Sequence, residues 1–224
     1  MSQKQKVAHT LFGSPVIMTK LDPKSYDKKS IVSTIEKNFK LNKTRNKWDK
    51  QSVLHHSHDD VANPRYHQVK FDSLLPVYKE VITNIFKNMQ LTAAWEFDFT
   101  LVNYTCLSKS HYMASHNHPE VDFSAVHYLQ FDKKHHTPTK FENTLPYAKY
   151  VTALRPNLLK ILSSKHLSNS WAWNTWEIAT EEDDFCFFPA FLQHGINPQT
   201  SKNKNRITVV LNISLRKRDF SIKR

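Results

Sequence analysis

The spacing of hydrophobic positions changes near residue 90. Before it, Ile31, Ile35 and Phe39 recur at i, i+4 and i+8, one helical stripe. Leu74, Leu75, Tyr78, Val81, Ile82, Ile85 and Phe86 form a wider apolar face, which predicts a second helix over residues 71–89. Asp22-Pro23 marks the expected start of the first helix, because proline in a first turn forfeits no hydrogen bond. Residues 1–90 therefore read as a helical part, with the polar stretch 42–64 as an irregular connection between helices.

After Gln90 the period falls to two. Trp95, Phe97, Phe99 and Leu101 alternate with Glu96, Asp98 and Thr100, the pattern of a half-buried strand. Residues 123–131, 171–178 and 185–188 read as further strands. The clearest strand is 206–215. Ile207, Val209, Leu211, Ile213 and Leu215 share one face; Arg206, Thr208, Val210, Asn212 and Ser214 share the other. A polar face on so regular a strand borders either water or a polar cavity. A short helix near residues 157–165 interrupts this half. Strands after a helical preamble predict a mainly β fold with flanking helices (α+β): a double-stranded β-helix, or jelly roll, with N-terminal helices packed on it. The 224 residues suit a single domain: a helical part to residue 90, a jelly-roll core over 91–215 and a basic tail over 216–224.

Composition narrows the functions available. Hydrophobic residues make up 39% and aromatics 12%, enough apolar surface to offset chain ordering, which excludes a disordered protein. The two glycines, Gly13 and Gly195, cannot build a glycine-fingerprinted nucleotide loop. The two cysteines, Cys106 and Cys186, stand alone in apolar stretches, so zinc ribbons and thioredoxin chemistry are excluded. Both are read as small buried apolar residues in a reducing compartment. No apolar run approaches the roughly 18 to 20 residues of a membrane span, and the expectation is a soluble cytoplasmic protein without a membrane partner. The net charge of +12 admits nucleic acid, yet the lysines are scattered, and a solvated surface explains them better. Arg216-Lys217-Arg218 with Lys223-Arg224 is the dense basic cluster.

Thirteen histidines are the positive clue, because neutral imidazole is the commonest metal ligand. In Ser115-His116-Asn117-His118-Pro119-Glu120-Val121-Asp122, an extended chain points His116 and His118 the same way, so both can clamp one ion. Glu120 or Asp122 can add an oxygen. Taken alone, such a pair is as readily a hydrogen-bonded polar loop. His194 follows the apolar strand Phe185-Cys186-Phe187-Phe188-Pro189, where functional side chains sit on a β scaffold. Arg206 comes twelve residues later, across the turn-like stretch 197–205. A guanidinium on the inner strand face requires an anion, and a carboxylate matches its geometry best. Other candidates receive plainer readings. His55, His56 and His58 are solvated or on a substrate side rather than structural ligands. His135 and His136 lie in a turn, and His127 packs in the sheet. Trp171, Trp173 and Trp176 are core or rim aromatics. Asn103 and Tyr104 are secondary candidates for lining a pocket.

These segments together resemble the iron(II)- and 2-oxoglutarate-dependent oxygenases. His116-Asn117-His118-Pro119 followed by Phe123-Ser124-Ala125-Val126-His127-Tyr128-Leu129 is similar to the His-x-His-Pro and Ser-Gly-Val-Tyr-Tyr-Leu stretch of a prolyl-hydroxylase-like branch common in marine phages and bacteria. Asp184-Phe185-Cys186-Phe187-Phe188-Pro189, His194 and Arg206-Ile207-Thr208 to Asn212 are similar to its later stretch. The resemblance spans roughly residues 94–215. It implies Fe(II), 2-oxoglutarate and O2 as cofactors, with ascorbate as a further candidate, and decarboxylation of the cosubstrate coupled to C–H oxidation. It implies His116, His118 and His194 as catalytic metal ligands, with Asp122 and then Glu120 as the carboxylate alternatives. It implies Arg206 as the partner of the cosubstrate's far carboxylate, helped by Thr208 or Ser214 and reached by Tyr128. Tyr128 reads equally well as a core tyrosine with one hydrogen bond. The middle position departs from the usual two-His-one-carboxylate triad, because His118 stands where a carboxylate is customary.

The resulting expectation is a hydroxylase acting on a protein side chain, a nucleobase or a small molecule, located in the host cytoplasm if phage-encoded. Two alternatives accompany it. One is a cupin-like dioxygenase that uses three histidines without cosubstrate. The other is a non-catalytic jelly-roll binding module, associated with nucleic acid or a virion. The role of Arg206 separates the first from the oxygenase; strongly salt-dependent DNA binding marks the second.

Overall fold

The structure is a computed structural model that describes residues 5–11, 13–57, 64–91, 95–143, 145–161, 172–200 and 204–217. In chain order its elements are β1 (Gln5–Leu11), β2 (Ser14–Lys20), α1 (Lys28–Leu41), β3 (His55–His56), α2 (Leu74–Asn88), β4 (Trp95–Leu107), β5 (Met113–His116), β6 (Phe123–Gln130), β7 (Thr139–Glu142), α3 (Pro146–Leu154), α4 (Pro156–Ile161), β8 (Thr175–Glu177), β9 (Asp184–Pro189), β10 (His194–Ile196) and β11 (Arg206–Lys217). A seven-stranded sheet runs β1-β2-β9-β6-β11-β4-β3, and a four-stranded sheet runs β5-β10-β7-β8. Neighbouring strands pair antiparallel.

The period-two pattern of β11 divides the molecule into layers. Ile207, Val209, Leu211 and Ile213 face outward, where they join Ile31, Ile35 and Phe39 of α1 and Leu74, Tyr78, Ile82 and Ile85 of α2 in one buried cluster. Val126, Tyr128, Cys186 and Phe188 point inward and pack with Phe141 of the smaller sheet and with Ile178 just past β8. The even-numbered face of β11 therefore looks into the space between the sheets. Of the two readings of that polar face, the cavity holds: Arg206, Thr208, Val210 and Asn212 line it.

The structure corrects several sequence expectations. The part read as helical opens with two strands, β1 and β2, which pair with each other and join the large sheet through β2–β9. β2 is buried on both faces, so its sequence carries no alternation to betray it. The first helix begins at Lys28, not near Pro23. Asp27 is its cap, accepting from the Ser30 N–H at 3.1 Å, while Asp22 closes a local turn onto the Lys24 N–H. A helix not expected, α3, precedes α4. Of the basic tail, Arg216 is paired with Asp98 at 3.0 Å and with Glu96 at 3.4 Å. Arg218, Lys223, Arg224, His58 and Trp171 lie outside the described residues. No helix among the described residues is long and apolar enough to cross a membrane.

His127 packs in the sheet as expected, but in a polar network. It is fully buried between the hydroxyls of Tyr78, 2.9 Å from Nδ1, and Tyr26, 3.4 Å from Nε2. Tyr26 donates to the Asp183 carboxylate at 2.7 Å, so it accepts from Nε2–H and the ring is neutral. Burial, with Lys28 nearby, pushes its pKa down to about 3. Burial likewise pushes His55 down to about 4. An unfolded histidine takes its proton near 6.5, so between roughly pH 6.5 and 3 the unfolded chain binds more protons, and acidification destabilises the fold. The contribution of His127 is about 2 kcal/mol at pH 5. The melting temperature is expected to fall between pH 7.5 and pH 5; an unchanged value would contradict buried neutral histidines.

Candidate active site

Antiparallel pairing of β10 with β5 sets His194 directly opposite His116. His118 follows two residues beyond β5, where its backbone N–H donates to the Ala190 carbonyl at 2.9 Å. One nitrogen from each of the three rings lies within 4.8 Å of the others. Two of the rings have fixed tautomers. His116 Nδ1–H donates to the Ala114 carbonyl at 3.0 Å, and His194 Nδ1–H donates to the Leu192 carbonyl at 2.8 Å. A carbonyl can only accept, so each ring presents the bare Nε2 lone pair, the usual support for a metal-binding imidazole. Burial pushes the His194 pKa well down, aided by the neighbouring His116 and His118 rings, and burial lowers His116 too.

Gly195 makes this arrangement possible. A Cβ there would lie 2.9 Å from the Met113 carbonyl oxygen and 3.2 Å from Ser115 backbone atoms. Only glycine lets β10 approach β5 closely enough for His194 to meet His116. With two glycines in the chain and one directly after His194, the sequence carried a usable signal for this close approach.

The three imidazoles border a cavity of about 290 Å³, whose other lining includes Thr105, Val126, Thr139, Arg206 and Thr208. Arg206 is fully buried. Its Nε–H donates to the Thr137 carbonyl at 3.0 Å, while Nη1 and Nη2 are buried without a hydrogen-bond partner. Burial pushes its pKa down to about 10, so it remains charged at neutral pH. A guanidinium with two nitrogens left unpartnered among the described residues has the chemistry to take an anion.

The remaining candidates separate clearly. Thr208 lines the cavity and shares a 2.7 Å hydrogen bond with Thr105. Ser214 does not line it; β11 and β4 shift register between Asn212 and Ile213, and Ser214 lies past that irregularity. Tyr128 lies behind the wall, its ring 5.2 Å from the Arg206 guanidinium and its hydroxyl donating to Thr139 Oγ1 at 2.7 Å. Of the two readings of Tyr128 the geometry matches the core tyrosine, and Thr139 is the hydroxyl that lines the cavity. Asp122 is turned away, accepting from the Leu215 N–H at 2.7 Å, a bond that ties its loop to β11. Glu120 is an exposed rim residue outside the three-imidazole cluster. Asn103 lines the cavity, whereas Tyr104 faces α1, hydrogen-bonded to Asn38 and His55. His55 is a core residue, donating from Nδ1 to the Asn42 carbonyl at 2.6 Å. His56 joins the cavity wall, stacked on Trp48, whose ring also lies 4.7 Å from that of His116. Trp48 was missed because residues 42–64 carry no periodic pattern.

Residues 103–212 match a family model described as "Putative 2OG-Fe(II) oxygenase". Over these 110 of its 224 residues the chain resembles the 2OG-Fe(II) oxygenases. Their chemistry requires Fe(II), 2-oxoglutarate and O2. Three solved structures share the jelly-roll fold. The non-heme alpha ketoglutarate dependent carbocyclase SnoK from nogalamycin biosynthesis is 9% identical with a TM-score of 0.57, over 91% of this chain and 81% of that one. A prolyl hydroxylase from Trichoplax adhaerens is 8% identical with a TM-score of 0.53, over 89% and 83%. A Pseudomonas putida prolyl-4-hydroxylase is 10% identical with a TM-score of 0.50, over 91% and 92%. At these identities the likeness is one of fold. No curated protein matches the sequence. The three-imidazole cluster and the orphaned guanidinium fit the oxygenase cofactors, one as a divalent-metal site and the other as a carboxylate site.

Gly195→Ala is expected to force β10 off β5, costing about 1–3 kcal/mol of stability and separating His194 from His116. Urea melts together with manganese(II) titration test this. A variant that keeps both wild-type stability and metal affinity would contradict the close-approach argument.

Proposed function

We propose that the chain is a 2-oxoglutarate- and Fe(II)-dependent hydroxylase. Its metal is held by His116, His118 and His194, and Arg206 pairs with the far carboxylate of the cosubstrate. The observation that carries this reading is the pair of orphaned Arg206 nitrogens in the same cavity as three convergent imidazoles. A group bridging the two needs a metal-binding end and an anionic end, which is the form of a 2-oxo diacid.

The bound metal and cosubstrate supply the oxidising chemistry, while the protein supplies geometry and a dry cavity. Arg206 offers two parallel N–H donors to one carboxylate. Thr139 has its oxygen occupied by the Tyr128 hydroxyl, so its own O–H is free to donate to the same carboxylate. Either hydroxyl of the Thr105–Thr208 pair can do the same. Val126, Met113 and Ile196 line the cavity with apolar groups, which keeps water from competing with these bonds. Trp48 and His56 stand beside His116 and border the substrate side.

A cosubstrate-free three-histidine dioxygenase has no use for the guanidinium. It would leave the orphaned nitrogens unsatisfied throughout the reaction. A binding module accounts for neither feature. The Trichoplax neighbour is in complex with a hypoxia inducible factor peptide fragment. A peptide side chain is therefore the first substrate class to screen here, ahead of nucleobases and small molecules.

2-Oxoglutarate is expected to raise the melting temperature even without metal, since it satisfies Arg206. Arg206→Met is expected to abolish that shift. Succinate formed from 2-oxoglutarate with Fe(II) in air, lost in His194→Ala, would complete the test. Absence of both the shift and the succinate in folded protein would contradict the reading. Three neutral imidazoles leave the full charge of the ion uncompensated. His118→Asp is therefore expected to bind manganese(II) more tightly than wild type when cosubstrate is absent. Weaker binding would contradict His118 as the ligand in the carboxylate's place.

A further inference from the structure

Arg206 can select a diacid only if its guanidinium is held at a fixed distance from the three histidines. Its fixed point is the Thr137 carbonyl, the acceptor of Nε–H. Thr137 belongs to the connection between β6 and β7, and Pro138 after it restricts its backbone to extended forms. The connection between β10 and β11 grips this segment. The Thr137 N–H donates to Gln199 Oε1 at 3.1 Å. Gln199 Nε2 donates to Thr137 Oγ1 and, at 3.0 Å, to the Asn197 carbonyl. Thr137 Oγ1 donates to the same carbonyl at 2.9 Å. His136 Nε2–H donates to the Lys204 carbonyl at 2.7 Å, and Thr200 Oγ1 donates to the His135 carbonyl at 3.1 Å.

Gln199 is the hub of this clasp. It is 3% exposed and does not line the cavity. Its backbone is fixed as well, donating to the His111 carbonyl and accepting from the Ser110 N–H, both at 2.9 Å. With both ends of its side chain amide engaged and its backbone tied to a third loop, it can transmit position but cannot touch a ligand. We propose that Gln199 is a positioning residue: through Thr137 it fixes the Arg206 guanidinium and so sets the chain length of the 2-oxo diacid the site accepts. This rests on Arg206 binding the far carboxylate. The residue types fit the task, because a buried amide supplies one acceptor and two donors and answers the N–H and Oγ1 of a single threonine.

The experiment measures the affinity of manganese-loaded protein for 2-oxoglutarate, for the shorter oxaloacetate and for 2-oxoadipate, one methylene longer. The proteins are wild type, Gln199→Met, Gln199→Glu, Arg206→Met and the double variant Gln199→Met/Arg206→Met. Gln199→Met is expected to weaken 2-oxoglutarate about tenfold while manganese affinity stays within about twofold. The preference for 2-oxoglutarate over its shorter and longer homologues is expected to narrow. Gln199→Glu keeps the acceptor for the Thr137 N–H and is expected to fall between wild type and Gln199→Met, which preserves the test if Gln199→Met folds poorly. In the Arg206→Met background, adding Gln199→Met is expected to change nothing further, since the group it positions is gone. Wild-type affinity and selectivity in Gln199→Met beside a crippled Arg206→Met would overturn the positioning role alone. Equal losses from Gln199→Met in both backgrounds would also overturn it, marking a general structural effect. Full 2-oxoglutarate binding in Arg206→Met would overturn the reading of Arg206 and the positioning role together.

Discussion

A buried guanidinium with two unanswered nitrogens is expensive, and the molecule is arranged around keeping one. Arg206 opens β11, an interior strand of the large sheet between β4 and β6, with its side chain wholly out of water. Among the described residues its neighbours include the Thr137 carbonyl, which accepts from Nε–H, and the rings of Tyr128 and Phe131, 5.2 and 5.9 Å from the guanidinium carbon. The fold tolerates this charge because the surrounding layers are strongly cohesive. α1 and α2 seal the outer face of the same strand, and the small sheet closes over the inner face. Arg206 and the three imidazoles line one cavity, so an anion proposed to answer the guanidinium would sit beside them.

The small sheet solves the other half of the problem. Burial lowers the pKa of His116 and, with the neighbouring rings, that of His194, which favours their unprotonated forms. The His116 and His194 rings are aimed by backbone carbonyls two residues earlier in the chain, a local device that needs no second side chain. The pairing that brings His116 to His194 depends on a glycine where no side chain fits. The site is thus assembled by strand register on one sheet and presented to a charged residue on the other.

How much of this was legible depended on the kind of signal each element carries. β11 was readable to within a residue at its start, because one face is apolar and the other lines a cavity, giving clean alternation. α1 and α2 were readable from their stripes. β1 and β2 were not: β2 is covered on both faces, so no period survives in its sequence. His116, His118, His194 and Arg206 were legible as residue types in an order, and the structure brings them to one cavity. For Asp122 and Tyr128 the sequence left alternatives open, because it shows what a side chain is, not which hydrogen bond already occupies it: Asp122 serves the Leu215 N–H, and Tyr128 is the core tyrosine of its two readings, serving Thr139. The clasp through Gln199 was invisible for a similar reason. It joins two turn-like connections that are close in space and about sixty residues apart in the chain.

On the reading proposed above, three imidazoles and one guanidinium form a single site for a metal and a 2-oxo diacid. The most direct measurement is an anaerobic titration of the metal-free protein with Fe(II) and 2-oxoglutarate, following the weak visible charge-transfer band of the iron–2-oxo acid chelate. The account predicts the band in wild type, its loss in His194→Ala, and a much higher 2-oxoglutarate requirement in Arg206→Met. Folded wild-type protein that develops no band would contradict it.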